Sequence, residues 1–310
     1  MKVSAIIPAY NAASMIGRAI TSIAHQSEFV DEIIVVDDGS SDNTAQVAAQ
    51  ALPRVRVIVQ ENKGPSAARN AGLIAASNEC VAFLDADDCW LPDKIGRQLK
   101  LLDGVNVSGV VTAFEKHAEG RGLVSVHVPG DESLGMLSPV EFVVFTRASP
   151  STLLIDRRVT GDISFPEGVV EGEDPIFFGL VRSRGIIRSV DDVLAVRSMH
   201  DFQLTKRPGS FSRSIRNRLG WLEENWGELN IKSAEDARRL FWMAARDDVM
   251  SRFWARDFKA YSQSRAELLQ LWPHDINLRF DLKRQVLPRW VYGFKDFIDS
   301  SMRRVKSMNR

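Results

Sequence analysis

The sequence predicts an α/β fold: a mainly parallel sheet with helices on both faces, followed by a helical C-terminal region. Three observations carry this expectation. Over the first hundred residues, short apolar runs alternate with stretches whose apolar residues recur at helical spacing, as strand–helix–strand units require. Two of the runs lead into clustered acids, Asp37-Asp38 and Asp85, Asp87 and Asp88, and in such sheets ligands gather beyond the carboxyl ends of the strands. From about Ser210 the pattern is helical throughout and holds six of the seven tryptophans.

Val3–Pro8 (VSAIIP) reads as a buried strand, and Met15, Ile16, Ala19, Ile20, Ile23 and Ala24 then recur at helical spacing. Glu32–Val36 is a second short apolar run. Asp37–Thr44 (DDGSSDNT) is turn chemistry, with Ser41 or Asp42 suited to cap a helix over Thr44–Leu52. Val55–Val59 reads as a third strand, the Ala-rich Gly64–Ser77 as a helix and Cys80–Leu84 as a fourth strand. Pro92 suits the first turn of a helix running to about Leu102. Beyond it, Val107–Phe114, Leu123–Val128 and Ser151–Ile155 read as strands, Pro139–Phe145 and Pro175–Arg182 as helices, and Ile186–Val196 as strand and turn.

Bulk properties narrow the class. The 310 residues suffice for one large domain or two modest ones. An apolar fraction of 45% and a charged fraction of 26% are ordinary for a soluble globular protein. With a formal net charge of zero there is no global field to draw the chain to nucleic acid. Cys80 and Cys89 are too few for a disulfide framework and are not spaced for zinc, which favours a reducing compartment. The N-terminal MKVSAIIPAYN has too short an apolar stretch for a secretory leader, and no apolar run reaches the roughly 18 residues of a spanning helix. A cytoplasmic location is expected.

The segment FLDADDCW (Phe83–Trp90) places three carboxylates at the end of an apolar run. Like charges so placed repel, and one is driven toward protonation unless they share a cation. Either they splay into water as a turn, or they hold a hard cation: Mg²⁺ and Mn²⁺ take one or two carboxylates plus substrate phosphates. In Gly172–Leu180 (GEDPIFFGL), Pro175 suits a first helical position, which makes Asp174 the N-cap. A helix N-terminus stabilises the carboxylate form, whereas a general base needs a pKa near working pH, toward which neighbouring acids in an apolar cleft would push it. The five histidines show no H-E-x-x-H spacing, and no dinucleotide, P-loop or nucleophile-elbow motif is present.

AIIPAYN (Ala5–Asn11), VVDDGSSDNT (Val35–Thr44), GPSAARNAG (Gly64–Gly72), FLDADD (Phe83–Asp88), GEDPIFFGL and VRSMHDFQLT (Val196–Thr205) occur in this order. As an ordered set they resemble the family 2 glycosyltransferases, whose nucleotide-binding domain has the GT-A fold. The resemblance covers roughly the first two thirds of the chain. It implies a nucleotide-sugar-binding catalytic domain over residues 1–205 and a helical region over 206–310 on the acceptor side. It also implies an inverting, metal-dependent transfer of a sugar from a nucleoside-diphosphate donor, UDP favoured, to a hydroxyl of a glycan or lipid-linked sugar in surface or extracellular polysaccharide synthesis. By the same resemblance Pro8 and Tyr10 line the base pocket, Asp38 accepts a hydrogen bond from the base, and Arg69 helps hold base or diphosphate. Asp85 contacts the ribose, Asp87 carries Mn²⁺ or Mg²⁺, Asp174 is the base with Glu173 in support, and His200 sits on the metal or diphosphate, with Arg197 within reach of the latter. Met199 and Phe202 depart from the family's common pattern around that histidine, and Asp88 is a third acid without a settled role. Plain structural readings stand beside these: Tyr10 in the core, Asp37 and Asp38 bonding their own turn, Arg69 in a surface ion pair.

Between Arg279 and Arg310 nine Lys/Arg and three Asp/Glu are interleaved with Phe280, Trp290, Phe294 and Phe297. Such a segment suits either an anionic inner membrane surface or a helical subdomain with a charged outer face; it leaves oligomerisation open. Two other functions remain in view: a non-catalytic nucleotide-sugar binder or scaffold, and a sugar nucleotidyltransferase. The latter usually has an N-terminal Gly-rich loop with a basic residue, which VSAIIPAYNAAS lacks.

Overall fold

The computed structural model describes residues 1–129, 137–145, 148–199, 210–254, 262 and 266. The chain divides into two compact units, Met1–Ala245 and Arg246–Arg310. The described residues of the second unit, 246–254, 262 and 266, are helical. The expected domain boundary after residue 205, His200 and the basic segment Arg279–Arg310 lie outside the described residues.

In the first unit the early strands and helices alternate as their periodicity requires. Strand β1 (Val3–Ala9) is followed by α1 (Ile16–Ala24), β2 (Glu32–Asp37), α2 (Thr44–Ala51), β3 (Val55–Val59), α3 (Pro65–Ala75) and β4 (Cys80–Phe83). Next come β5 (Cys89–Trp90), α4 (Lys94–Leu102), β6 (Val107–Ala118), β7 (Gly122–His127) and α5 (Pro139–Phe145). A 3-10 turn (Pro150–Thr152), β8 (Leu154–Asp156), α6 (Arg157–Thr160), α7 (Glu173–Arg184) and β9 (Ile186–Met199) complete the sheet. Helix α8 (Ser210–Asn225), a 3-10 turn (Trp226–Leu229) and α9 (Ala234–Trp254) follow.

The sheet runs β3-β2-β1-β4-β8-β6-β9-β5, with β7 paired to β6. Strands β3, β2, β1 and β4 are parallel neighbours, and so are β6 and β9. Strand β8 joins the two parallel groups by antiparallel pairing to β4 and β6. Successive side chains of a strand point to opposite faces, and both faces are covered. Val3, Ala5 and Ile7 pack with Ile16, Ile20, Ala48 and Ile95, residues of α1, α2 and α4. Ile6, Val81 and Phe83 pack with Ala68, Leu73, Phe142, Phe177 and Phe178, residues of α3, α5 and α7. Gly72 lets α3 approach β1 closely, since a Cβ there would stand 2.3 Å from Ile6 Cγ2.

Several expectations are corrected in detail. Ser151–Ile155 is not one strand: Pro150 opens a 3-10 turn in which the Thr152 N–H and hydroxyl donate to the Ser149 carbonyl, and β8 starts only at Leu154. Ile186–Met199 is a single strand whose central pairing with β6 is irregular. Strand β5, only two residues long, is too short to leave a period in the sequence. Asp174 is not the N-cap of α7: Gly172 occupies that position and Asp174 lies in the first turn.

Candidate active site

The carboxyl ends of β1, β2 and β4, the second turn of α3 and the start of α7 supply the predicted residues. At the end of β1, Pro8 is half-buried and Tyr10 is 54% exposed, so its ring does not pack into the core. Beyond β2, Asp37 accepts from the Ser40 N–H (3.2 Å) and from its hydroxyl, bracing the turn. Asp38 is only 4% exposed. Its carboxylate accepts from Gln60 Nε2 (2.7 Å) and from the Lys63 (2.9 Å) and Gly64 (2.8 Å) amides. It thereby fixes the loop that leads into α3.

Arg69, on α3, is the hub. Its guanidinium is buried, donates to Asp85 Oδ1 at 2.8 Å and to Asp174 Oδ1 at 3.0 Å, and lies 3.9 Å from Glu173. Below it is Phe165, 5.0 Å from the guanidinium carbon and stacked on Phe177. Burial alone would lower the Arg69 pKa; the three acids outweigh it and hold it above its usual value. Burial pushes the Asp85 carboxyl up, yet Arg69 and Arg197 outweigh that and keep it below the ordinary carboxylate value. For Asp174, 30% exposed at the side chain, the balance reverses. Burial dominates and, with Glu173 and Asp85 adding and Arg69 opposing, raises it to about 7.

The rest of the acid cluster sits beside the end of β9. Asp88 is buried; its carboxylate accepts from the Ser151 hydroxyl (2.7 Å) and the Ser198 amide (3.0 Å), with Arg197 Nε at 3.6 Å. Burial first, and then Asp87, push it up to about 8, against Arg197. The Ser151 hydroxyl also accepts from the Asp85 N–H (3.0 Å), and Arg18 Nη2 joins the Asp87 carbonyl to the Ser198 hydroxyl, each at 2.9 Å. Ser151, Arg18 and Ser198 were missed in the sequence because each is a lone residue whose role arises only from distant packing.

The structure therefore gathers Arg69, Asp85, Glu173 and Asp174 into one cluster, with Asp88 and Arg197 at its side. It sets Asp38 on the loop before α3 and leaves Tyr10 exposed. No three of His, Cys, Asp and Glu form a ligand set for a metal among the described residues. The oxygen donors at the end of β4 nevertheless fit a hard cation shared with a ligand's phosphates, because the crowded charge on Asp85, Asp87 and Asp88 is what a cation would relieve. Arg69 Nε and Arg197 Nε are buried and have no hydrogen-bond partner among the described residues.

Residues 4–150 match the model of the family described as glycosyl transferase family 2. That match places residues 4–150, just under half of the chain, in glycosyl transferase family 2. It is 46% identical over 124 residues to the succinoglycan biosynthesis protein ExoO of Rhizobium meliloti, covering 39% of this chain and 36% of that one. It is 37% identical over 115 residues to the Escherichia coli UDP-Glc:alpha-D-GlcNAc-diphosphoundecaprenol beta-1,3-glucosyltransferase WfgD, covering 36% of this chain and 46% of WfgD. The chain spans about a third of the length of the first curated relatives it matches, from Nostoc and Rickettsia. Its fold matches the crystal structure of Staphylococcus aureus TarS 1-349 in complex with UDP-GlcNAc, with a TM-score of 0.59 at 20% identity over 87% of this chain and 81% of that one. The fold is thus that of the GT-A neighbours. No helix among the described residues is long and apolar enough to cross a membrane.

Proposed function

We propose that this family 2 chain transfers a sugar, with inversion, from a UDP-sugar to a hydroxyl of a glycan or lipid-linked acceptor during surface polysaccharide synthesis. The observation that carries the reading is Asp174: a carboxylate at the mouth of the cluster, with a pKa raised to about 7, suited to take a proton near neutral pH. The UDP and lipid-linked acceptor in the names of TarS's complex and WfgD support the donor class and the acceptor type.

In this reading Tyr10 and Pro8 flank the base, Asp38 offers its remaining lone pair to it, and Asp85 holds the ribose. Asp87 and the donor's diphosphate, with His200, would hold Mn²⁺ or Mg²⁺, which supplies neutralisation of the charge on the departing diphosphate. The part-exposed Arg197 guanidinium beside these acids suits the same anion. Asp174 accepts the proton of the acceptor hydroxyl as its oxygen attacks the anomeric carbon from the face opposite the leaving group, and Glu173 steadies the acceptor. A single displacement of this kind inverts the centre and needs no covalent intermediate. Residues 206–310 are assigned to the acceptor side, and the reaction to the cytoplasmic face of the membrane.

Calorimetry with UDP, GDP, CDP and dTDP, each with and without Mn²⁺, tests the reading. Metal-dependent binding of UDP, abolished in Asp87→Ala, is expected. A folded protein that binds none of the four would overturn it.

A further inference from the structure

The residues just before the base adopt a rare backbone conformation. Glu171 has φ 66° and Gly172 φ 119°, both in the left-handed region. A non-glycine residue persists there only when its surroundings over-determine it, and such residues concentrate at functional sites. Here the surroundings are one face of α8. Arg213 grips the Glu171 carboxylate with two guanidinium donors, Nε to Oε2 and Nη2 to Oε1, each at 2.9 Å. Asn217 Nδ2 donates to the Val170 carbonyl and, at 3.2 Å, to the Glu171 carbonyl. A Cβ on Gly172 would stand 2.9 Å from Arg218 Cγ and 3.0 Å from the Ser214 carbonyl oxygen, so the loop lies directly against the helix.

Helix α8 is itself anchored. Arg218, buried, donates through Nη1 to the Val143 (2.8 Å) and Val144 (3.0 Å) carbonyls at the end of α5. Helix α5 packs on α7, where Gly179 makes room for Val143. Two routes thus run from α8 to α7: one through α5 to its middle, and one through residues 170–172 to its first turn, where Glu173 and Asp174 lie.

We propose that Arg213 and Asn217 are positioning residues for the reaction. They hold Glu171 and Gly172 in the left-handed form and so aim Asp174 at the acceptor hydroxyl. This rests on the assignment of Asp174 as the base. It makes a helix outside the nucleotide-binding strands part of the catalytic apparatus, and gives an acceptor that contacts α8 a direct route to the base.

Hydrogen exchange of peptides covering residues 168–178 comes first, in the wild type, Arg213→Gln and Asn217→Ala. Faster exchange there, with peptides of β1 to β4 unchanged, is expected; unchanged exchange at 168–178 overturns the clamp. Turnover is then read as UDP release from UDP-glucose and UDP-N-acetylglucosamine. For Arg213→Gln, kcat should fall about 10–100-fold while donor KM and calorimetric UDP affinity stay within about twofold, the signature of a misplaced reacting group rather than a lost donor site. The charge-swapped pair Glu171→Arg/Arg213→Glu should recover most of that loss. Unchanged kcat despite faster exchange overturns the link to the base, and so does parallel loss of kcat and UDP affinity. Absence of UDP binding and turnover in the wild type would count against the proposed function instead, and the exchange result would still decide the clamp.

Discussion

Asp174 and Asp85 share one guanidinium, yet the first is shifted up from the ordinary carboxylate value and the second down. Arg69 is at 3.0 Å from the first and 2.8 Å from the second, so proximity to the cation does not separate them. Asp85 has Arg197 as a second counter-charge. Asp174 has burial, Glu173 and Asp85 working against its charge. Its proton is therefore held more tightly in the folded chain than in the unfolded one, where it leaves at ordinary carboxylate pH. The native state then binds more protons between about pH 4 and 7, and ionising Asp174 reduces stability as pH rises through that window. Asp174→Asn should thus remove that pH-dependent loss, seen in denaturant titrations at several pH values. It should also lower turnover about 10²–10⁴-fold with UDP affinity preserved. In the wild type, turnover should rise through about pH 7 as the carboxylate forms.

At the scale of the element, α4 carries a residue the proposed chemistry does not use. Lys94 is fully buried, donates to Gln98 Oε1 at 2.8 Å and lies 4.2 Å from the centre of the Trp90 ring. Gln98 Nε2 in turn donates to the Val110 (2.6 Å) and Thr152 (2.8 Å) carbonyls, and Trp90 Nε1 to the Ser151 carbonyl (2.8 Å). The helix thus supports the 3-10 turn whose Ser151 hydroxyl reaches Asp88. Burial, unrelieved by a carboxylate, holds the Lys94 pKa well below its usual value. The unfolded chain therefore binds the extra proton, and stability should rise with pH from the folded pKa up to the ordinary lysine range. Lys94→Met should flatten that rise. Urea unfolding between pH 6 and 10 reads the slope, which is separate from any change in absolute stability caused by leaving Gln98 Oε1 without its donor. An equally steep slope in the variant would show that another group is responsible.

For the whole molecule, the proposed binding surface draws on both sides of a sheet whose halves meet at β8. Asp38 and Arg69 belong to the parallel β3-β2-β1-β4 side, while Arg197 and Ser198 end β9 on the other. A ligand that engages both sides binds only the folded chain and should stabilise it by mass action. UDP with Mn²⁺ at about 100 times its Kd contributes about 2.7 kcal/mol, or a rise in Tm of about 5–10 °C for a unit of this size. Scanning calorimetry with and without the pair checks this, and the rise should vanish in Asp87→Ala.

The sequence by itself determined the parallel strands of the first hundred residues, the helices between them and the acids at the ends of β2 and β4. Those features are written in local period and in residues that follow their strand directly. Tertiary structure decided which charges meet. Arg69 lies 16 residues from Asp85 and 105 from Asp174, Ser151 is 63 from Asp88, and Arg213 is 42 from Glu171. Nothing in local spacing announces such pairs. The placement of Asp174 after the cap rather than at it goes with the left-handed Glu171 and Gly172, and its raised proton affinity with the desolvation that packing imposes. Both arise from long-range contacts, which a pattern of neighbouring residues does not encode.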